Sequence, residues 1–129
     1  MLGEHNYSNV LCLIDVWENR NAPVEVQAKK NICNFLSKCK NNPNWKIYFY
    51  NGDTEPDSSV VNCLVDTNYE ITDDSLKVFN PYNNVQNYYF AGFSVNLCLF
   101  DSPIGINKYL QINNQKKFNI LEDLTVGLN

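Results

Sequence analysis

The stretch NVLCLIDVW, residues 9 to 17, is apolar at almost every position, carries β-branched residues and closes around one acid, Asp15. Apolar side chains at successive positions suit a strand buried on both faces, as in a parallel sheet. The pattern then changes period. Pro23 suits the first turn of a helix, and Val24, Ala28, Ile32, Phe35, Leu36 and Cys39 recur at helical spacing until Asn41, Asn42 and Pro43 stop them. WKIYFYN, 45 to 51, reads as a second strand and GDTEPDSS as a loop. The middle of the chain is ambiguous: Ser59 to Val65 fits a short strand or a helical turn, and Asp73 to Phe79 one helical turn or two. Pro81 and Asn83-Asn84 mark a break. VQNYYFAG, 85 to 92, is a strand, Asn96 to Leu110 a helix despite Pro103, and KKFNILED, 116 to 123, a last strand.

Strand, helix, strand with short connections implies parallel pairing through right-handed crossovers. The predicted fold is a three-layer, doubly wound α/β domain around a mostly parallel sheet. At 129 residues the chain is one domain, 1–129, without internal repeat or linker. Its net charge of −4, with no cluster of Lys or Arg, argues against a nucleic-acid partner. No apolar run approaches the roughly 20 residues of a membrane span. MLGEHNYSN lacks the basic and apolar regions of a secretory signal. Cys12, Cys33, Cys39, Cys63 and Cys98 are odd in number and irregularly spaced, which favours reduced thiols and a cytoplasmic protein over a disulfide scaffold. His5 is the only histidine and there is no CxxC pair, so neither a metal site nor any other cofactor is expected.

In open parallel sheets, sites form beyond the carboxyl ends of the strands. Asp15 lies at that end of the first strand, and Cys98 falls in the first turn of the helix after the strand 85 to 92. A carboxylate beside a thiol can take its proton, a helix N-terminus stabilises a thiolate, and backbone N–H groups of the turn 93 to 98 can hold an oxyanion. The same Cys98, inside VNLCLF, equally fits a buried small apolar side chain, as do Cys12, Cys33, Cys39 and Cys63. Asp15 alone fits a helix cap as well as a base.

AGFSVNLCLFDSPIGINKYL resembles the nucleophile segment of the isochorismatase-like cysteine hydrolases, with Gly92, Ser94 and Cys98 in the glycine, small-polar and cysteine places. LCLIDVWEN resembles the first strand of that superfamily, which carries a catalytic Asp, here Asp15. FNILEDLTVG resembles the strand after the nucleophile helix. The resemblance implies that Cys98 attacks an amide or related carbonyl carbon of a small-molecule substrate and that Asp15 is base and proton carrier. It also implies that the backbone N–H groups of Ser94 and Cys98 hold the oxyanion, with a cis peptide just before Ser94.

The family triad also contains a lysine, and here its place is not filled at the expected spacing. Lys77, in the ambiguous middle, and Arg20, just past the first strand, are the candidate cations; each also fits a solvated surface charge. Without a cation the thiol stays near its reference pKa of about 8.5. The metal-binding histidines of the nicotinamidase branch are absent from GDTEPD. The resemblance implies a further strand and helix, so the fold is read as truncated at the C-terminus, which would leave an edge or face for a homo-oligomer to cover. A non-catalytic relative serving as an assembly or binding module is the alternative. Phosphoryl transfer fails on spacing: Trp17 stands where a haloacid-dehalogenase-type phosphatase needs its second Asp, and no Gly-rich phosphate loop is present.

Overall fold

The structure, a computed structural model, describes residues 7–52, 55–94, 97–114 and 117–127. Five strands, β1 (Asn9–Ile14), β2 (Trp45–Tyr50), β3 (Tyr69–Ile71), β4 (Asn87–Phe93) and β5 (Asn119–Val126), form one sheet in the order β3-β2-β1-β4-β5. All four pairings are parallel. β1 is central, and its side chains alternate between two cores as the unbroken apolar run requires. Leu11 and Leu13 enter the layer shared with Ile32 and Leu36 of α1 (Pro23–Cys39) and Val60 of α2 (Ser58–Cys63). Val10, Cys12 and Ile14 enter the opposite layer, with Val78 of α3 (Ser75–Val78), Leu99 of α4 (Cys98–Asp101) and Tyr109 of α5 (Ile106–Ile112). The sheet therefore carries helices on both faces, and the α/β expectation holds.

Local chemistry sets the element ends. Pro23 opens α1, and Glu25 Oε1 accepts the Ala22 N–H at 2.8 Å. Asp57 caps α2 by accepting from the N–H groups of Ser59 and Val60. The ambiguous stretch 59 to 65 is thus mostly helix, α2 ending at Cys63, and 73 to 79 holds a single turn, α3, followed by a 3-10 turn at Pro81–Asn83.

Three expectations need correction. The helix over 96 to 110 is two helices, because Pro103 cannot donate to the ladder and Gly105 packs against the preceding turn. A Cβ at Gly105 would lie 2.7 Å from the Leu99 carbonyl oxygen. The last strand runs to Val126, three residues beyond its expected end, so Glu122 and Asp123 lie mid-strand, both exposed. Cys33 and Cys63 are a disulfide between α1 and α2, with Cα atoms 5.5 Å apart, rather than core thiols. Cys12 and Cys39 are free and buried. Asn96 and Lys116, where the expected helix and last strand begin, lie outside the described residues, as does His5. Among the described residues no helix is long and apolar enough to cross a membrane.

Candidate active site

The strand order reverses between β1 and β4: the chain steps outward from β1 through β2 to β3, then returns to place β4 on the other side. Such a reversal opens a crevice at the carboxyl edge. Asp15 directly follows β1 there, its backbone in the left-handed region at φ 55°, a conformation that Asp tolerates better than most residues. It is buried, and its N–H donates to the Tyr50 carbonyl at 2.8 Å. The side chain is held from the next strand: Asp15 Oδ1 accepts the Gly52 N–H at 2.7 Å.

On the other wall, Gly92 pairs with Ile14 across β1 and β4. The Phe93–Ser94 peptide that follows is cis, at the position the resemblance implies. The Ser94 carbonyl accepts the N–H groups of Leu97 (3.2 Å) and Leu99 (3.1 Å), tethering α4 to the end of β4. Cys98 is the first residue of α4 and is half-buried. Its thiol lies within electrostatic reach of the Asp15 carboxyl group and of the Ser94 backbone N–H. The N–H of Cys98 itself occupies the first helical position, which has no intrahelical acceptor.

Burial pushes the Cys98 thiol above its ordinary value, and the Asp15 carboxylate pushes further in the same direction by hydrogen bond and charge. The Ser94 N–H opposes this, and Asp101 at the end of α4 adds a small further rise. The resting sulfur is therefore a neutral thiol. The expected help from a helix N-terminus is slight, since α4 is one turn of four residues.

The structure brings Asp15, Ser94 and Cys98 together and leaves both candidate cations elsewhere. Lys77 is on α3 and pairs with Glu70 of β3; it lines a depression with Val10 and Lys46, at the amino ends of β1 and β2, the edge opposite Asp15. Arg20 stays near the carboxyl edge, but its Nε donates to Glu25 Oε2 at 2.7 Å and its guanidinium lies 5.5 Å from the centre of the Trp17 ring.

Two features escaped sequence reasoning. Gly52 is one, although a glycine directly after a strand was the available signal. The other is a buried ion pair: Lys29 Nζ lies 2.8 Å from Asp57 Oδ2, with side chains 7% and 6% exposed, and also donates to Asn21 Oδ1 at 2.9 Å. Burial raises the Asp57 pKa, but hydrogen bonds from Lys29, Ser59 and Val60 outweigh it and hold the carboxyl below its ordinary range. Asp57 in turn donates its N–H to the Val16 carbonyl at 2.8 Å, and Glu18 N–H reaches the Glu55 carbonyl at 3.0 Å. The pair thus pins residues 55–57 alongside 16–18, next to Asp15.

No family model, curated protein or solved structure matches this chain.

Proposed function

We propose that this chain is a small isochorismatase-like cysteine hydrolase acting on an amide or related carbonyl of a small molecule, built on a Rossmann-like doubly wound fold. The observation that carries the reading is the placement of Asp15, directly after β1, beside Cys98, at the start of α4 after β4, in the crevice where the strand order reverses. In the reaction, Asp15 takes the thiol proton as the sulfur attacks the carbonyl carbon, and the C–S bond forms. The N–H groups of Ser94 and Cys98 face the oxygen that becomes an oxyanion. The carbon–nitrogen bond then breaks, and the leaving amine takes the proton from Asp15. Water, deprotonated by Asp15, attacks the thioester, releases the carboxylic acid and returns the proton to the thiol. This sequence requires no cofactor.

The same reading includes a homo-oligomer, since β3 and β5 are the two edges of the sheet, and a cytoplasmic setting, for which the three free thiols speak and the Cys33–Cys63 disulfide does not. A second reading, a non-catalytic relative used as an assembly or binding module, is favoured by the thiol pushed upward and by Lys77 at the opposite edge.

Acylation with p-nitrophenyl acetate, followed by peptide mass analysis, separates the two. A hydrolase forms an acetyl adduct on Cys98 that is turned over in the wild type and persists in Asp15→Asn. An adduct that persists equally in both proteins sinks the hydrolase reading and leaves the binding module.

A further inference from the structure

The crossover from β3 to β4 has only the single turn α3 and the 3-10 turn Pro81–Asn83 to lay over the sheet, whereas α1, with 17 residues, covers the opposite face. Over the amino halves of β1, β2 and β3 this leaves a depression of about 240 Å³ whose lining includes Lys46, Tyr48, Glu70 and Lys77. Its floor is charged. Lys46 and Tyr48 alternate with Ile47 and Phe49 along β2, so both project into this layer while their neighbours fill the other core.

Two ammonium groups share one carboxylate. Lys77 Nζ pairs closely with Glu70 Oε2, whereas Lys46 Nζ stands 3.7 Å from Glu70 Oε1. The second distance is too long for a hydrogen bond. The Lys46 ammonium is nevertheless withdrawn from water: its side chain is only 14% exposed, and it lies 5.5 Å from the ring centres of both Tyr7 and Tyr48. Burial lowers its pKa, while the Glu70 charge acts in the opposite direction. A half-desolvated ammonium whose one carboxylate contact is long, in a concave site whose described lining sets two ammonium groups against one carboxylate, is a group with an unmet need for an acceptor.

We propose that this depression binds the anionic group of a small molecule, a phosphate monoester or a carboxylate, through Lys46 and Lys77, with the Tyr7 and Tyr48 rings as walls. The volume suits a compact ligand, lying below the roughly 300–1,000 Å³ of drug-sized sites. The site is at the opposite edge of the sheet from Asp15 and Cys98 and is independent of the chemistry proposed there. Glu70 competes with the ligand for both cations.

The test is a titration of the full chain with sodium phosphate and, separately, sodium acetate, at constant ionic strength held with chloride and followed by backbone amide NMR shifts. Saturable shifts at Lys46, Tyr48, Glu70 and Lys77 are expected with at least one probe. Phosphate alone assigns a phosphate site, and acetate alone or both assigns a site for carboxylates. Lys46→Met, which keeps the apolar stem, should weaken binding by roughly tenfold or more. Glu70→Gln should strengthen it, because both ammoniums lose their competitor; a merely structural ion pair would give no such gain. Non-saturating shifts with both probes, shifts unchanged by Lys46→Met, or weaker binding in Glu70→Gln would each overturn the proposal.

Discussion

Gly92 lies so close to Ile14 that a Cβ at position 92 would stand 1.9 Å from the Ile14 carbonyl oxygen. Its φ of +131° is also one that side-chain-bearing residues rarely adopt. The two conditions act together at the point where β1 delivers Asp15 and β4 delivers Ser94, so the crevice is as narrow as two bare backbones allow.

Gly92→Ala must therefore push β4 from β1 or change the backbone at 92. Steric overpacking and the unfavourable φ each cost about 1–3 kcal/mol, giving an expected loss of about 2–6 kcal/mol in urea unfolding. A loss below about 0.5 kcal/mol, the range of ordinary surface changes, would show that the strands are not held this closely.

Cys98 should titrate above its ordinary value, because burial and the adjacent Asp15 carboxylate both disfavour the thiolate. The sign for stability follows: the folded pKa exceeds the unfolded value of about 8.5, so the contribution is complete below that pH and is lost as pH rises through the folded pKa. Peptide-resolved iodoacetamide labelling across pH 6 to 10 reads the same shift. Wild-type Cys98 should label with an apparent pKa above about 8.5, yet ahead of Cys12 and of Cys39, which burial pushes up to about 11. Asp15→Asn should lower the Cys98 midpoint and speed labelling at neutral pH, while abolishing any turnover. A wild-type midpoint below about 8 would mean that a cation reaches the sulfur.

How far the site could be read in advance depended on which residues carry it. Asp15 and Cys98 were placed on one edge by the order of elements alone, since β1, α1, β2 and β4 each bury a pattern with a single period. The cation could not be placed, because Lys77 lies in a crossover of one-turn pieces where no periodicity accumulates. β3 escaped for a related reason. It is three residues long, with Tyr69 and Ile71 exposed at 45% and 66%, so it lacks the two-sided apolar run that betrays β1 and β4. The disulfide depends on α1 and α2 lying side by side, and α2 is a six-residue helix set by the Asp57 cap rather than by an apolar stripe.

Lys29→Met should be costly in spite of its conservative shape. It leaves Asp57 buried without its cation, and breaking one side of a buried pair typically costs about 3–5 kcal/mol. The pH profile identifies the cause. The Asp57 pKa is depressed in the fold, so its contribution is present above the unfolded value of about 3.9 and is lost as pH falls through the folded value. The variant should have a flatter stability profile below pH ~4 than the wild type. Equal acid limbs in denaturant titrations at pH 2.5 to 5 would show that Lys29 does not set the Asp57 charge.

The Cys33–Cys63 disulfide closes a loop with a sequence separation of 30 and joins the middle of α1 to the end of α2. Both helices pack on the same layer, and α2 begins at Asp57, whose backbone holds residues 55–57 beside Val16. Cross-linking a loop of this length lowers the entropy of the unfolded chain, and Cys33→Ala/Cys63→Ala should lose about 2–4 kcal/mol in urea unfolding. Because the folded contacts of α1 with the sheet stay in place, the variant should retain its far-ultraviolet circular dichroism, and dithiothreitol should lower wild-type stability by a similar amount. If dithiothreitol shifts the wild type but leaves the double variant unchanged, the effect belongs to this bond. If it shifts both equally, the stabilisation arises elsewhere.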